Sequence, residues 1–333
     1  MRSRSSDYWA KREKTHAEAV KKRESKYSSQ ISDIYLRTYN RCQAQIADWY
    51  SKYARDEGIS MAEARKRVAQ ADIKALSAKA AKYVKDKDFS PRANEEMRLY
   101  NLTMKINRLE YLKSDIGIEL TKSYSEIESF LGDTLTDEAR REYIRQAGIL
   151  GMTVEDKNLP KYAKNVAYGS FQNATFSDRI WAHQEALHAE LSRKLSAAII
   201  QGKGARDLAR DLKKTFGVSQ ANAERLMITE IARVQTDVAR DSMERNGNEY
   251  YVYLATGPHP CDVCKALDGK RFKVEDMEPG VNAPPMHPYC HCSTGPSWDE
   301  EKYAAWLDSG AAKNGVSYDD FDASTYKAKE RSK

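Results

Sequence analysis

The segment HPCDVCKALDGKRFKVEDMEPGVNAPPMHPYCHC, residues 259–292, is the most distinctive part of this 333-residue chain. It contains four of the five cysteines, and seven of the nine prolines lie between Pro258 and Pro296. A segment this small, with many prolines and few apolar residues, normally needs a metal ion or disulfides to keep one fold. Its clustered cysteines are typical of metal ligands in a reducing compartment.

The spacing of cysteine and histidine predicts one tetrahedral metal site. A C-x2-C turn places two thiolates on the same ion, and a proline-rich loop can supply the other ligands. Four of the following five residues are therefore expected to bind Zn²⁺: Cys261, Cys264, His287, Cys290 and Cys292. The fourth ligand is either Cys290 or Cys292, whereas His259 and His291 are expected not to bind. Four protein ligands leave no position for water, so the zinc is expected to be structural.

The rest of the sequence predicts long helices. Only 41% of residues are hydrophobic and 31% are charged, which leaves little apolar surface for a thick core. Apolar residues recur at steps of three and four up to Asn246, with a separate helix over residues 134–147 and a helix end at Gly217. Two aromatic or β-branched runs, 250–256 and 270–274, predict strands. The fold class is therefore mainly α, with an extended helical N-terminal and central region and a small C-terminal α+β zinc-binding module.

These patterns divide the chain into four regions. We predict an N-terminal amphipathic helical arm over residues 1–57, a helical region over 58–170, a third domain over 171–298 and a C-terminal tail over 299–333. The zinc module occupies residues 250–298 of the third domain.

The charge of the chain indicates partners only weakly. A net charge of +6 over 55 basic and 49 acidic residues is usual for solvated helices. The first 28 residues are more basic, with nine cations against four acids, which suits either non-specific phosphate contacts or a solvated helix end. No run of eighteen apolar residues and no signal-peptide core are found, so neither a membrane span nor secretion is expected.

The sequence contains no strong catalytic motif. It has no H-E-x-x-H, no glycine-rich phosphate loop and no G-x-S-x-G. His183-Gln-Glu185 and Pro260-Cys261-Asp-Val-Cys264 match two pieces of a zinc deaminase, but 78 positions separate His183 from Cys261. We therefore expect no enzyme. The alternative is a zinc-dependent enzyme acting on nucleic acid, either a nuclease or deaminase-like.

Three pieces of the cysteine segment form one pattern: C-x2-C at 261–264, L-D-G-K at 267–270, and P-P-M-H-P-Y-C-H-C at 284–292. Upstream stands an R-x-x-x-T-E-x-x-R stretch with Arg225, Thr229, Glu230 and Arg233. Together they resemble the minor head proteins of tailed bacteriophages, a head-morphogenesis family related to the F protein of phage Mu. The family usually has arginine where His291 stands. The opening Tyr8-Trp9-x-x-Arg12 is similar to longer members of the family.

The resemblance covers about residues 171–297, so the third region is expected to be a head-morphogenesis domain. It implies a non-enzymatic minor capsid protein that assists procapsid assembly and the handling or ejection of packaged DNA. The implied location is the virion, in the capsid interior near the portal, and the host cytoplasm during assembly. The implied partners are the portal protein, the major capsid or scaffolding protein, and double-stranded DNA without sequence specificity.

Overall fold

The computed structural model describes residues 4–53, 73–86, 91–149, 157–201, 205–256, 260–297, 300–311, 314 and 321–322. These residues form eight helices and three strands: α1 (Arg4–Tyr53), α2 (Ile73–Asp86), α3 (Pro91–Ile149), α4 (Leu159–Ala167), α5 (Phe176–Ile200), α6 (Ala205–Arg245), β1 (Tyr250–Leu254), α7 (Asp262–Leu267), β2 (Arg271–Lys273), β3 (Ser293–Ser297) and α8 (Glu300–Asp308). The mainly helical class with a small sheet is confirmed. None of the described helices is long and apolar enough to cross a membrane. His259 lies outside the described residues.

Two long helices continue where the sequence predicted boundaries. The predicted separate helix at 134–147 is part of α3, and α6 passes through Gly217 without ending. Both predictions were wrong because the buried stripe stays in register across each site. Leu131 and Leu135 are fully buried one turn apart in α3, and α6 continues from buried Phe216 to buried Ala223. Such packing outweighs the roughly 1 kcal/mol that one glycine costs a helix.

The chain folds into two compact units, each assembled from separate stretches of sequence. Unit 1 comprises Met1–Ser25, Gly132–Asn173 and Arg225–Lys333, and unit 2 comprises Lys26–Leu131 and Ala174–Glu224. The first residues of the chain therefore belong to the same unit as the cysteine segment. The linear division at residues 57, 170 and 298 stays a prediction.

Unit 2 is a helical core that contains a buried hydroxyl cluster. The Tyr35 hydroxyl donates to the Tyr124 hydroxyl at 2.9 Å, and Ser219 Oγ lies 2.6 Å from the same Tyr124 oxygen. Burial raises the pKa of both tyrosines, so both keep their protons. Each buried hydroxyl thus has a partner, as burial of a polar group requires.

Unit 1 contains an antiparallel sheet in the order β2-β1-β3. The predicted strands at 250–256 and 270–274 are confirmed over 250–254 and 271–273. The third strand, STGPS, was not predicted because glycine and proline are rare in strands. Its proline is tolerated because β3 is an edge strand: Pro296 pairs with Tyr251, and Gly295 pairs with Val252.

Buried ion pairs join α1 to α3 within unit 1. Arg145 donates to Glu13 at 2.5 Å and to Glu142 at 2.7 Å, and Arg23 donates to Glu138 at 2.6 and 2.7 Å. All three carboxylates are at most 2% exposed. Because an unpaired buried charge is costly, the Arg145–Glu13 and Arg23–Glu138 pairs fix how α1 packs on α3.

Mild acid is expected to weaken unit 1 through His16. Burial lowers the pKa of His16 below its usual 6.5, although nearby Glu142 acts in the opposite direction. The unfolded chain therefore binds a proton at a pH where the folded chain does not. Stability is unaffected by this residue well above pH 6.5 and falls as the pH drops through 6.5, with a slope of at most about 1.4 kcal/mol per pH unit.

Urea unfolding of the wild-type chain and of His16→Gln at pH 7.5 and 5.5 measures this effect. The wild-type midpoint should fall more between the two pH values than the midpoint of the variant, which has no imidazole to protonate. Equal falls would show that another group is responsible.

Candidate metal centre

The C-x2-C turn starts the short helix α7. Cys261 is the N-cap residue, with φ −68° and ψ 169°, and its Sγ accepts a hydrogen bond from the backbone N–H of Cys264 at 3.4 Å. This hydrogen bond lowers the pKa of Cys261 and so favours the thiolate, the form that binds metals. Cys264 is fully buried. The turn thus offers one half-exposed and one buried sulfur.

Cys264 lies at the centre of the five candidate ligands. Its Sγ is 3.6 Å from His287 Nε2 and 4.0 Å from Cys290 Sγ. The ligand atoms of Cys261, Cys264 and His287 all lie within 4.8 Å of one another, and so do those of Cys264, Cys290 and Cys292. Ligand atoms on one tetrahedral zinc are about 3.5–3.8 Å apart. The cluster can therefore hold a metal ion, and sulfur and imidazole suit zinc.

His287 is oriented by its neighbour in the chain. Its Nδ1 lies 2.8 Å from the Pro288 carbonyl oxygen, which can only accept, so Nδ1 carries the proton. This bond raises the pKa of His287. It also leaves the lone pair of Nε2 on the side of Cys264, the tautomer that a metal ligand needs.

Cys290 and Cys292 differ in their protonation. The hydrogen bond from the Cys292 side chain lowers the pKa of Cys290 to about 5. The same interaction, together with burial, raises the pKa of Cys292 far above its usual range. Burial also raises the pKa of Cys264 to about 12, and the Tyr253 hydroxyl donates to its Sγ at 3.3 Å. Of the last two cysteines, Cys290 therefore forms the thiolate more readily.

The L-D-G-K turn fastens the C-x2-C helix to β1. Asp268 Oδ1 accepts from the backbone N–H of Ala255 at 2.9 Å, and the Gly269 N–H donates to the Tyr253 carbonyl at 2.8 Å. Gly269 has φ +76°, a conformation that side chains disfavour. Asp268 and Gly269 thus form a turn that places Tyr253 beside Cys264.

Arg233, in the R-x-x-x-T-E-x-x-R stretch of α6, is buried and surrounded by hydrogen-bond acceptors from α6 and α4. This guanidinium donates to Glu230 at 2.6 Å and to Asp237 at 2.8 Å. It also donates to the carbonyls of Val166 at 3.0 Å and Ala167 at 2.9 Å, which end α4. Arg233 therefore pairs with Glu230 inside α6 and also caps the end of α4.

Two helices hold the loop that carries His287, Cys290 and Cys292. Thr229 Oγ1 of α6 accepts from the backbone N–H of Tyr289 at 3.4 Å, where Tyr289 has φ +61°. Glu24 Oε2 of α1 lies 2.9 Å from His291 Nε2, and this hydrogen bond raises the pKa of His291. His291, which stands where the family usually has arginine, thus contacts the N-terminal helix α1.

The start of α1 packs on β3, next to the cysteine loop. The Ser293 hydroxyl donates to Glu13 Oε2 at 2.6 Å. Trp9 is 6% exposed, and its Cβ and Cγ would lie 3.2 Å from a Cβ atom added to Gly295. The sequence singled out Trp9 and Glu13 neither as core nor as part of this site. Trp9 could have predicted that the start of α1 has a buried face, because a large aromatic side chain in a basic helix is usually buried.

Residues 189–295 match the family model described as Phage Mu protein F like protein. The match runs from α5 to β3 and includes all five candidate ligands and the α6 motif. This segment is related to the phage Mu F head-morphogenesis family. The match covers about a third of the 333-residue chain. A search of curated proteins and a search of solved structures each gave no match.

Proposed function

We propose that the chain is a non-enzymatic minor head protein that associates with the portal of a tailed phage. It assists procapsid assembly and the handling or ejection of packaged DNA, in the capsid interior near the portal. The Mu F-like segment carries the proposal, because it contains the cysteine cluster together with the α6 residue that holds its loop, Thr229. Its main partner is the portal protein, and the major capsid or scaffolding protein and double-stranded DNA are further partners.

We further propose that Cys261, Cys264, His287 and Cys290 bind one structural Zn²⁺. When bound, the ion supplies a cross-link between α7 and the loop before β3. Cys290 is the fourth ligand because its Sγ lies 4.0 Å from that of Cys264 and its thiolate is favoured. The hydrogen bond with Cys290 and burial raise the pKa of Cys292, which disfavours its thiolate. Four protein ligands leave no position for a reactive water, which supports a structural role.

The enzyme alternative gains no support from the cluster. Among the described residues, neither group of neighbouring ligand atoms includes His183, the histidine that a deaminase would need. His183 belongs to unit 2, whereas the cysteine cluster belongs to unit 1.

The zinc content of two serine variants is expected to show whether Cys290 or Cys292 is the fourth ligand. Cys290→Ser should lose zinc, because oxygen replaces a thiolate ligand, while Cys292→Ser should keep about one zinc per chain. The measurement is elemental analysis of each purified variant after gel filtration. Zinc lost from Cys292→Ser and kept by Cys290→Ser would assign the fourth ligand to Cys292 instead.

Capture on the portal tests the biological role. The tagged full-length chain, co-expressed with the portal protein of the same phage, should purify with portal rings. It should also be present in purified virions. A chain found in infected cells but in neither the portal complex nor the virion would overturn the proposed function.

A further inference from the structure

Helix α1 has two chemically different faces within unit 1. One face is buried against α3 and the sheet and includes Trp9, Glu13, Val20 and Glu24. At 100° per residue these positions fall on one side of the helix. The opposite side is exposed and consists of Lys11, Arg12, Lys14, Glu18, Lys21 and Lys22 with small residues between them.

The fold removes negative charge from the exposed face. Glu13 is 1% exposed and accepts from Arg145 and Ser293, and Glu24 is 5% exposed and pairs with His291. Between residues 11 and 22, Glu18 is therefore the one exposed acid among five exposed cations. The sequence alone could not show that the exposed face is basic. A charge count over the sequence includes Glu13 and Glu24, which the fold buries.

The four lysines of this face are available to a partner. The side chains of these four exposed residues, Lys11, Lys14, Lys21 and Lys22, form no ion pair or hydrogen bond with the described residues. Residues 11 to 22 rise about 17 Å along the helix, a length over which double-stranded DNA carries about ten phosphate charges. Residues 11–22 contain no Tyr, Trp, Phe, Asn or Gln, and a row of lysines contacts phosphates without reading bases.

We propose that this exposed face of α1, defined by Lys11, Arg12, Lys14, Lys21 and Lys22, binds the phosphate backbone of double-stranded DNA. The choice of DNA over an acidic protein rests on the proposed function, since packaged DNA is the polyanion inside a phage head. The contact is independent of sequence and weakens with salt. Because the opposite face of the same helix packs on the cysteine module, the bound DNA lies over unit 1.

Fluorescence anisotropy with a 30-base-pair duplex and the full-length chain tests the proposal. Replacing Lys11, Lys14, Lys21 and Lys22 by glutamine should lower affinity by at least about 100-fold at 0.1 M salt and reduce the slope of log K against log salt by about 3 to 4. The matched control replaces four other exposed lysines of unit 1 by glutamine: Lys157, Lys161, Lys164 and Lys270. It loses the same charge and should change affinity by less than about 10-fold.

Three outcomes would overturn the proposal. These are no DNA binding by the wild-type chain, an equal loss of affinity in both quadruple variants, and displacement of DNA by polyglutamate as readily as by competitor DNA. The last result would assign the face to an acidic protein. Portal capture is measured separately, so a wild-type chain that purifies with the portal but binds no DNA would overturn this proposal and leave the portal-associated role intact.

Discussion

Replacing Cys264 by serine is expected to abolish zinc binding and to unfold the module around β1. Cys264 is the one cysteine that belongs to both groups of neighbouring ligand atoms, and it is fully buried. Serine removes a ligand and leaves the remaining thiolates close together without a cation between them. Structural zinc provides about 10–16 kcal/mol of binding free energy in isolated fingers, so a loss of several kcal/mol is expected here.

The remaining cysteine provides the control for this experiment. Cys42 is also buried, but it lies on α1 in unit 2. Cys42→Ser removes the same atom from a buried site and should leave about one zinc per chain. Zinc content, thermal melting and melting after chelation are measured for all three proteins. If Cys264→Ser kept both its zinc and its melting temperature, the structural zinc site would be refuted.

Chelation should make the wild-type chain resemble Cys264→Ser. Tyr253 and Cys264 are buried in one cluster with Cys290 and Cys292, and the proposed zinc ion would tie the loop of Cys290 to α7. The chelated wild-type chain and Cys264→Ser should therefore give the same melting curve. Added zinc should restore the original melting temperature of the wild-type chain only. A chelated protein that melted like the untreated one would show that hydrogen bonds alone hold the module.

The cysteine cluster was predictable because its signals are local. C-x2-C and H-P-x-C each place ligands within a few residues of one another, and the structure places the five predicted residues in two groups that share Cys264. Strand β1 was predictable for the same reason, since YYVYL has strong β propensity. By contrast, β3 forms only because β1 offers it an edge, and its own residues do not favour a strand.

The contacts of α1 were not predictable because they join distant parts of the sequence. Glu13 pairs with Arg145 and Ser293, and Glu24 pairs with His291. A glutamate on a charged helix is normally solvated, so a sequence pattern assigns both acids to the surface. Only the folded chain shows that these carboxylates satisfy buried donors. The basic character of the exposed face follows from this burial.

Replacing Arg233 by methionine is the second large expected effect. Arg233 is 1% exposed and donates to two carboxylates and to two carbonyls that end α4. Its removal leaves Glu230, also 1% exposed, without this cation and removes the guanidinium hydrogen bonds to the Val166 and Ala167 carbonyls. Breaking a buried pair in this way typically costs about 3–5 kcal/mol, and the same loss is expected in the urea unfolding of the full chain.

Arg225 is the matched control, because it is the other arginine of the same motif and is exposed. Arg225→Met should change stability by less than about 0.5 kcal/mol. Zinc content should stay near one per chain in both variants. This result would show that the lost stability comes from the Arg233 interactions and not from the metal site. Arg233→Lys should lose an intermediate amount, because an ammonium cannot reproduce the forked geometry of the guanidinium.

A double variant tests whether the stability lost in Arg233→Met comes from the buried Glu230 carboxylate that remains without its cationic partner. Glu230→Leu combined with Arg233→Met removes both members of the buried pair, so it should be more stable than Arg233→Met alone. If the double variant were less stable by the sum of the two single losses, the carboxylate and the guanidinium would act independently. Arg233 would then contribute mainly by capping α4, and not by neutralising Glu230.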